Sequence, residues 1–228
     1  MPKATNSSAV PVFDKLDGQH PNAWTELNFT NPYELLAATI LSAQCTDARV
    51  NQVTPALFKK YPTPAALARA DVAELEKMIQ PTGFFRNKTK SLIGMSNAIV
   101  DLHGGEVPSD MDALVDLPGV GRKTANVVRG HAFRLPGFPV DRHVLRVAAR
   151  IGLISGKATE DAVKAETKLT KLLPPERWTR ASDALILHGR RICKPKPLCE
   201  RCAVRPDCAY YRTHVARRVP RRAIPRAR

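Results

Sequence analysis

The chain predicts an all-α fold. Apolar residues recur at helix spacing along most of its 228 residues, proline and glycine punctuate those runs, and the alternation expected of strands is nearly absent. Residues 1 to about 20 are polar and proline-interrupted, which predicts a loose leader. Asn31 followed by Pro32 reads as an N-cap and first helical position, opening a helix to residue 41 that turns Leu35, Leu36 and Ile40 inward. Helix spacing continues over 48–61, 63–70, 72–79, 86–102 and 111–114, with Pro62, the turn at 81–83 and the glycines at 104 and 105 as breakers. Three more helices are predicted at 143–151, 158–173 and 178–188. From Tyr211 to Arg228 there are seven arginines and no acid, and Pro220 and Pro225 interrupt the run, so 211–228 reads as a flexible basic tail.

Composition narrows the function classes. Apolar residues make up 43% of the chain, enough for a real core in one or two domains. Lysine and arginine number 36 against 21 acids, a formal charge of +15 with a pI near 10.0, which is the footprint of a polyanion binder, with nucleic acid foremost. No apolar run approaches the roughly 18 residues that span a bilayer, and the first residues lack an apolar signal core, so the expected place of action is the cytoplasm. Five cysteines in such a compartment are poor material for disulfides, and their spacing is read first as metal chemistry.

The stretch Leu114-Val-Asp-Leu-Pro-Gly-Val-Gly-Arg-Lys-Thr-Ala-Asn-Val-Val128 carries the most chemistry. Leu114, Leu117, Val120, Ala125 and Val128 bury one side of two short helices, while Pro118, Gly119 and Gly121 break the chain between them. This is a helix-hairpin-helix pattern. Backbone amides near Gly119 and Gly121, together with the positive end of the helix that starts near Arg122, suit a DNA phosphate. Val120, Arg122 and Thr124 are the neighbours expected to contact DNA with them.

Cys193, Cys199, Cys202 and Cys208 give C-x5-C-x2-C-x5-C within 16 residues. Four thiolates so close would be costly without a metal, and the spacing alone serves zinc and an iron–sulfur cluster equally. Lys194, Lys196, Arg201 and Arg205 between the ligands add positive charge for phosphates. Cys45 stands apart on an apolar helix end and reads as a buried, inert thiol.

The segments at 117–125, Val-Asp-x-His at 140–143, His-Gly-Arg at 188–190, Leu-Ser-Ala-Gln-x-Thr-Asp at 41–47 and the cysteine loop together resemble the endonuclease III family, from roughly Phe29 to Cys208. The resemblance implies a helix-hairpin-helix DNA glycosylase fold. A six-helix barrel domain would cover 25–135, with its hairpin at about 111–128. An iron–sulfur domain would combine 1–24 with 136–228, its cluster loop at 193–208, and DNA would lie across a cleft between the domains. It also implies one [4Fe-4S] cluster on Cys193, Cys199, Cys202 and Cys208. The partner it implies is double-stranded DNA with damaged bases or abasic sites, met by a monomer in the cytoplasm at the bacterial nucleoid. Two features depart from the family pattern: five residues rather than six separate the first two cysteines, and Arg142 stands in place of a threonine.

Excision of a damaged base requires the nucleotide to leave the stack, and by resemblance Gln44 and Phe84 are candidates to fill the gap, with Phe84 equally readable as a core aromatic. Lys123 is the expected nucleophile: a first-turn position and a partly buried site would both favour its neutral amine. Attack at the sugar C1′ expels the base and leaves an imine from which β-elimination cuts the strand. Asp141 would activate the nucleophile or stabilise charge on the sugar while capping the next helix. His143, readable as a buried hydrogen-bonding residue, and Asp47 are possible supporting groups, and Arg142, Lys194 and Arg201 possible DNA contacts. The expected reaction is removal of oxidised pyrimidines from duplex DNA. A mismatch thymine or uracil glycosylase and a predominant lyase are the alternatives within the family. An adenine glycosylase would lack Lys123, a binding-only module has no use for Lys123 with Asp141, and a zinc deaminase is excluded because no histidine is followed two positions later by glutamate.

Overall fold

The computed structural model describes residues 6–216, and all regular structure there is helical. Residues 1–5 of the expected leader and 217–228 of the expected basic tail lie outside the described residues. The chain divides into two compact units, one formed by Trp24–Pro139 and the other by the segments on either side of it, up to Ala23 and from Val140 onward.

In the Trp24–Pro139 unit the core is built around α2 (Pro32–Leu41). Asn31 accepts the Glu34 amide at 2.9 Å and the Glu34 carboxylate accepts the Thr30 amide at 2.7 Å, a reciprocal cap that starts the helix sharply. Leu35, Leu36, Ala37, Ala38 and Leu41 are all fully buried, so α2 is apolar all round rather than amphipathic. Against it pack α3 (Asp47–Lys60) and α6 (Phe85–His103), while α4 (Pro64–Ala68) and α5 (Val72–Ile79) pack on α6; α3, α4 and α5 are capped by Thr46, Thr63 and Asp71. Gly104 in the left-handed conformation ends α6, and the Gly105 amide returns to the Ile99 carbonyl at 3.0 Å. Then come α7 (Met111–Val115), capped by Asp110, and α8 (Arg122–His131). Leu114, Leu117, Val120, Ala125 and Val128 all enter the core, as the hairpin spacing requires.

The second unit corrects the expected leader. Residues Asn6–Gln19 form α1, because Ala9, Val12, Phe13 and Leu16 fall at helix spacing and are buried. Pro11 lies inside that helix and forfeits only one hydrogen bond, so proline was a weaker signal there than the apolar stripe. The unit continues with α9 (Arg142–Ile151), α10 (Ala162–Leu169) and α11 (Trp178–Arg191). The single helix expected over 158–173 is broken in two places. Asp161 accepts the Lys164 amide at 3.0 Å and opens α10 afresh after a 3-10 turn at Gly156–Thr159. A second 3-10 turn, Thr170–Leu172, ends at extended Leu173, before Pro174.

The start of the expected tail is also ordered. Tyr211–Val215 make a π-helical turn, with the Tyr210 and His214 rings stacked 4.7 Å apart and Arg212 reaching the Pro206 and Asp207 carbonyls. Pro220 is too far downstream to break that turn. No helix among the described residues is long and apolar enough to cross a membrane.

Candidate functional site

Gly119 and Gly121 do different work in the hairpin. Gly119 has φ +78, and a Cβ there would sit 2.5 Å from the Ser91 Cβ on α6, so only glycine allows the turn to press against that helix. Gly121 is the extended N-cap of α8, and a Cβ there would meet nothing within 4 Å. A side chain at 121 would have open space, and no side-chain hydrogen bond from the N-cap closes the first turn of α8. Val120 has a different place: its amide bonds to the Leu117 carbonyl at 3.0 Å and its side chain is buried. Arg122 is exposed and Thr124 half-buried. Arg129 ties α8 to the Ser109 carbonyl beside the α7 cap.

Lys123 occupies the first turn of α8, as expected, but it is exposed rather than partly buried. Position on the helix, not burial in the protein, is what the fold supplies to it. Gln44 and Phe84 are both exposed, Phe84 at 62%, which excludes a core role for that ring. Both hold left-handed backbone, with φ of 53 and 48. Asp47 is half-buried in the first turn of α3, and Cys45 is half-buried against the core rather than fully buried.

Asp141 belongs to the other unit. It caps α9, its Oδ1 accepting the amides of His143 at 2.7 Å and Val144 at 2.9 Å, which leaves Oδ2 outside the cap. His143 is half-buried, and its Nδ1 accepts from the Arg146 guanidinium at 3.0 Å, which places the ring proton on Nε2. Burial lowers its pKa, opposed by Asp141 and assisted by Arg146, Arg142 and Arg190, so the ring is neutral at neutral pH. Gly189 explains the His-Gly-Arg signature: a Cβ there would lie 2.8 Å from the His143 Cβ, so glycine lets α11 approach α9.

The four cysteines of the loop line one pocket, with Arg150, His188 and Tyr210 among its walls. Among the described residues no three His, Cys, Asp or Glu side chains are placed to hold a metal ion. A zinc site would draw four sulfurs to about 2.3 Å from one point. Four cysteines lining one pocket supply the donor set that a cysteine-ligated cluster also takes. Burial pushes the Cys202 thiol up to about 11 and raises Cys199 and Cys208 as well, so the set needs a strong cationic centre to hold it as thiolates.

Two supports of this loop escaped the sequence reading. Arg146 and Arg150, one turn apart on α9, hold its first strand of chain: Arg146 Nε donates to the Cys193 carbonyl at 3.1 Å, and Arg150 donates to the Lys194 and Pro195 carbonyls at 2.6 and 2.9 Å. Arg150 also lies 3.5 Å from the Cys193 sulfur and over the Tyr210 ring at 4.8 Å. The second support is a buried pair, with His20 Nε2 3.0 Å from His188 Nδ1 and His188 Nε2 3.5 Å from the Cys202 sulfur. Burial pushes His188 down to about 4 and lowers His20 too, so both rings are neutral at neutral pH. The only signal for either support is the spacing of arginines on a helix after Asp141 and a histidine at the end of a helix that looked like leader. Lys194, Lys196, Arg201 and Arg205 are exposed between the cysteines, as is Arg142 at the head of α9.

Comparison with known proteins agrees with this geometry. The HhH-GPD superfamily of base excision DNA repair proteins matches residues 37–175. An endonuclease III from Synechocystis sp. is 51% identical over 191 residues, covering 83% of this chain and 86% of that protein. Two solved structures, a non-covalent endonuclease III–DNA complex and a trapped endonuclease III–DNA covalent intermediate, each align with a TM-score of 0.86 at 40% identity over 92% of this chain, covering 97% and 98% of theirs. A hairpin turn that glycine alone can make, a lysine in the uncapped turn beyond it and a four-thiol cavity thus occur in a chain that belongs to the endonuclease III family.

Proposed function

We propose that the protein is a bifunctional DNA glycosylase and abasic-site lyase of base excision repair, which removes oxidised pyrimidines from duplex DNA in the cytoplasm and works as a monomer. The observation that carries the reading is Lys123 in the open first turn of α8, directly after a glycine turn suited to a phosphate. The neutral Lys123 amine attacks the sugar C1′ as the bond to the damaged base breaks. The base leaves with a proton, and the sugar opens to an imine on Nζ. Loss of the C2′ proton then expels the 3′ phosphate, and water releases the lysine from the unsaturated product. Asp141 supplies the carboxylate for this chemistry through Oδ2 while Oδ1 holds the α9 cap. The mismatch alternative is not favoured, since the relatives named above are endonucleases III.

The four cysteines are proposed to hold one [4Fe-4S] cluster. Such a cluster, when bound, supplies a fixed cationic core that keeps the loop folded and can exchange electrons. Arg146 and Arg150 hold the loop backbone, His188 donates from Nε2 to the Cys202 thiolate with its Nδ1 accepting from His20, and Lys194 and Arg201 face DNA phosphates.

Borohydride trapping tests the lysine. Duplexes carrying thymine glycol or an abasic site are each expected to give a covalent band that Lys123→Ala abolishes. A band on the abasic duplex alone would remove the base preference, and no band on either would sink the imine mechanism.

A further inference from the structure

Lys88, on α6, is buried to 5% exposure, and its ammonium donates to two main-chain carbonyls, those of Leu41 and Thr82, at 2.8 Å each. A buried ammonium is costly unless its donors are satisfied, and here the two carbonyls supply the partners that let it stay buried. Burial pushes its pKa below the ordinary lysine value, with Cys45 acting in the opposite direction. Its two partners are far apart in the sequence but alike in position. Leu41 ends α2 three residues before Gln44, and Thr82 lies two residues before Phe84.

Only three non-glycine residues among those described have positive φ, and Gln44 and Phe84 are two of them. Left-handed backbone is strained for a residue with a Cβ and persists where the surroundings impose it. Here the surroundings include one ammonium that holds the main chain just upstream of both strained residues. What the strain presents outward is an exposed amide and an exposed aromatic ring. Because the bonds are to carbonyls, they fix the two loops whatever side chains those loops carry.

We propose that Lys88 is a positioning residue that couples the Gln44 and Phe84 loops into one rigid two-pronged element, which enters the duplex together when a nucleotide is extruded. The proposal rests on reading the chain as a base-extruding glycosylase.

The test uses full-length protein with its cluster. Lys88→Met keeps length and volume while removing the charge and all three donors, and Lys88→Gln, which keeps an amide donor, serves if the methionine variant does not fold. Two readouts are taken. One is the ratio of borohydride-trapping rates on duplex and single-stranded abasic DNA, since a single strand has no gap to fill. The other is the fluorescence of 2-aminopurine opposite an abasic analogue, which rises when that base is unstacked. Lys88→Met is expected to lower the ratio about tenfold and reduce the fluorescence amplitude, because sub-ångström misplacement of a positioned group is costly. Phe84→Ala should do likewise, and the double variant should be no worse than the poorer single variant within about twofold, since the two act as a unit. Equal loss on both substrates, or multiplicative effects of Lys88→Met and Phe84→Ala, would overturn the proposal. If Phe84→Ala and Gln44→Ala leave both readouts at wild-type level, the base-extruding reading of these loops fails and takes the proposal with it, an outcome seen in variants that keep Lys88.

Discussion

The observed N-cap of Asp141 and the catalytic carboxylate proposed for it can be separated by a single substitution. Asparagine retains the oxygen that caps α9 and is as good an N-cap as aspartate, so Asp141→Asn should change stability by only a few tenths of a kcal/mol. Base excision should nevertheless fall by roughly 10²-fold or more, because the negative charge is gone. Chemical denaturation beside single-turnover kinetics would show the split, and a variant that excises normally would leave Asp141 as a cap alone. The two hairpin glycines make a second contrast. Gly119→Ala meets both a positive φ and the Ser91 side chain, and should cost about 1–3 kcal/mol in unfolding measurements. Gly121→Ala meets no atom and should fold normally, so any loss it shows will be in DNA affinity.

Among the elements, the hairpin and the cysteine loop depend on supports of different kinds. Asp110 caps α7, and the amide of Ala113 first, then those of Asp112 and Met111, hold its carboxyl below the ordinary carboxylate value. A carboxylate whose folded value is depressed stabilises above its ordinary value and loses that contribution as pH falls through the folded one. Asp110→Ala should therefore melt lower than wild type at pH 7, and the two curves should converge as acid protonates the cap. The loop is held from α9, so Arg150→Ala should purify with less than its full complement of iron and lose the remainder faster on exposure to air, as iron assay and visible absorbance would report. Most of these elements were legible in the sequence because caps and breakers stand next to apolar runs, as at Asn31-Pro32 and Pro118-Gly119. What the sequence hid was of two kinds. Helix α1 was masked by its polar residues and its proline, although its apolar stripe was present. The Arg146, Arg150, Lys88 and His188 contacts reach residues distant in the chain: the spacing of the two arginines puts them on one face of α9 but does not say what that face meets.

For the molecule as a whole, the formal charge of +15 favours a polyanion, and the number of cations that meet phosphates sets how binding responds to salt. Each phosphate neutralised on duplex DNA contributes a slope of about −0.9 to the dependence of log affinity on log salt. Replacing both Lys194 and Arg201 with alanine should flatten that slope by about 2, with no change in the preference among bases. An unchanged slope would remove the exposed loop cations from the phosphate contacts.

The unit containing the cysteines is assembled from two ends of the chain. Lys15 pairs with Asp207, Arg177 with Asp14 and Asp17, Arg180 with Asp17, and Gln19 bonds to the backbone of Arg201 and Ala203. On the ribosome α1 emerges first and its partners emerge last, while everything needed for the Trp24–Pro139 core is made in between. Phe13 and Leu16 must therefore wait, unpartnered, through the synthesis of more than half the chain. A nascent chain that stalls or is cut before residue 177 carries the lysine-bearing hairpin, yet has neither a full seat for its first helix nor any of the four loop cysteines.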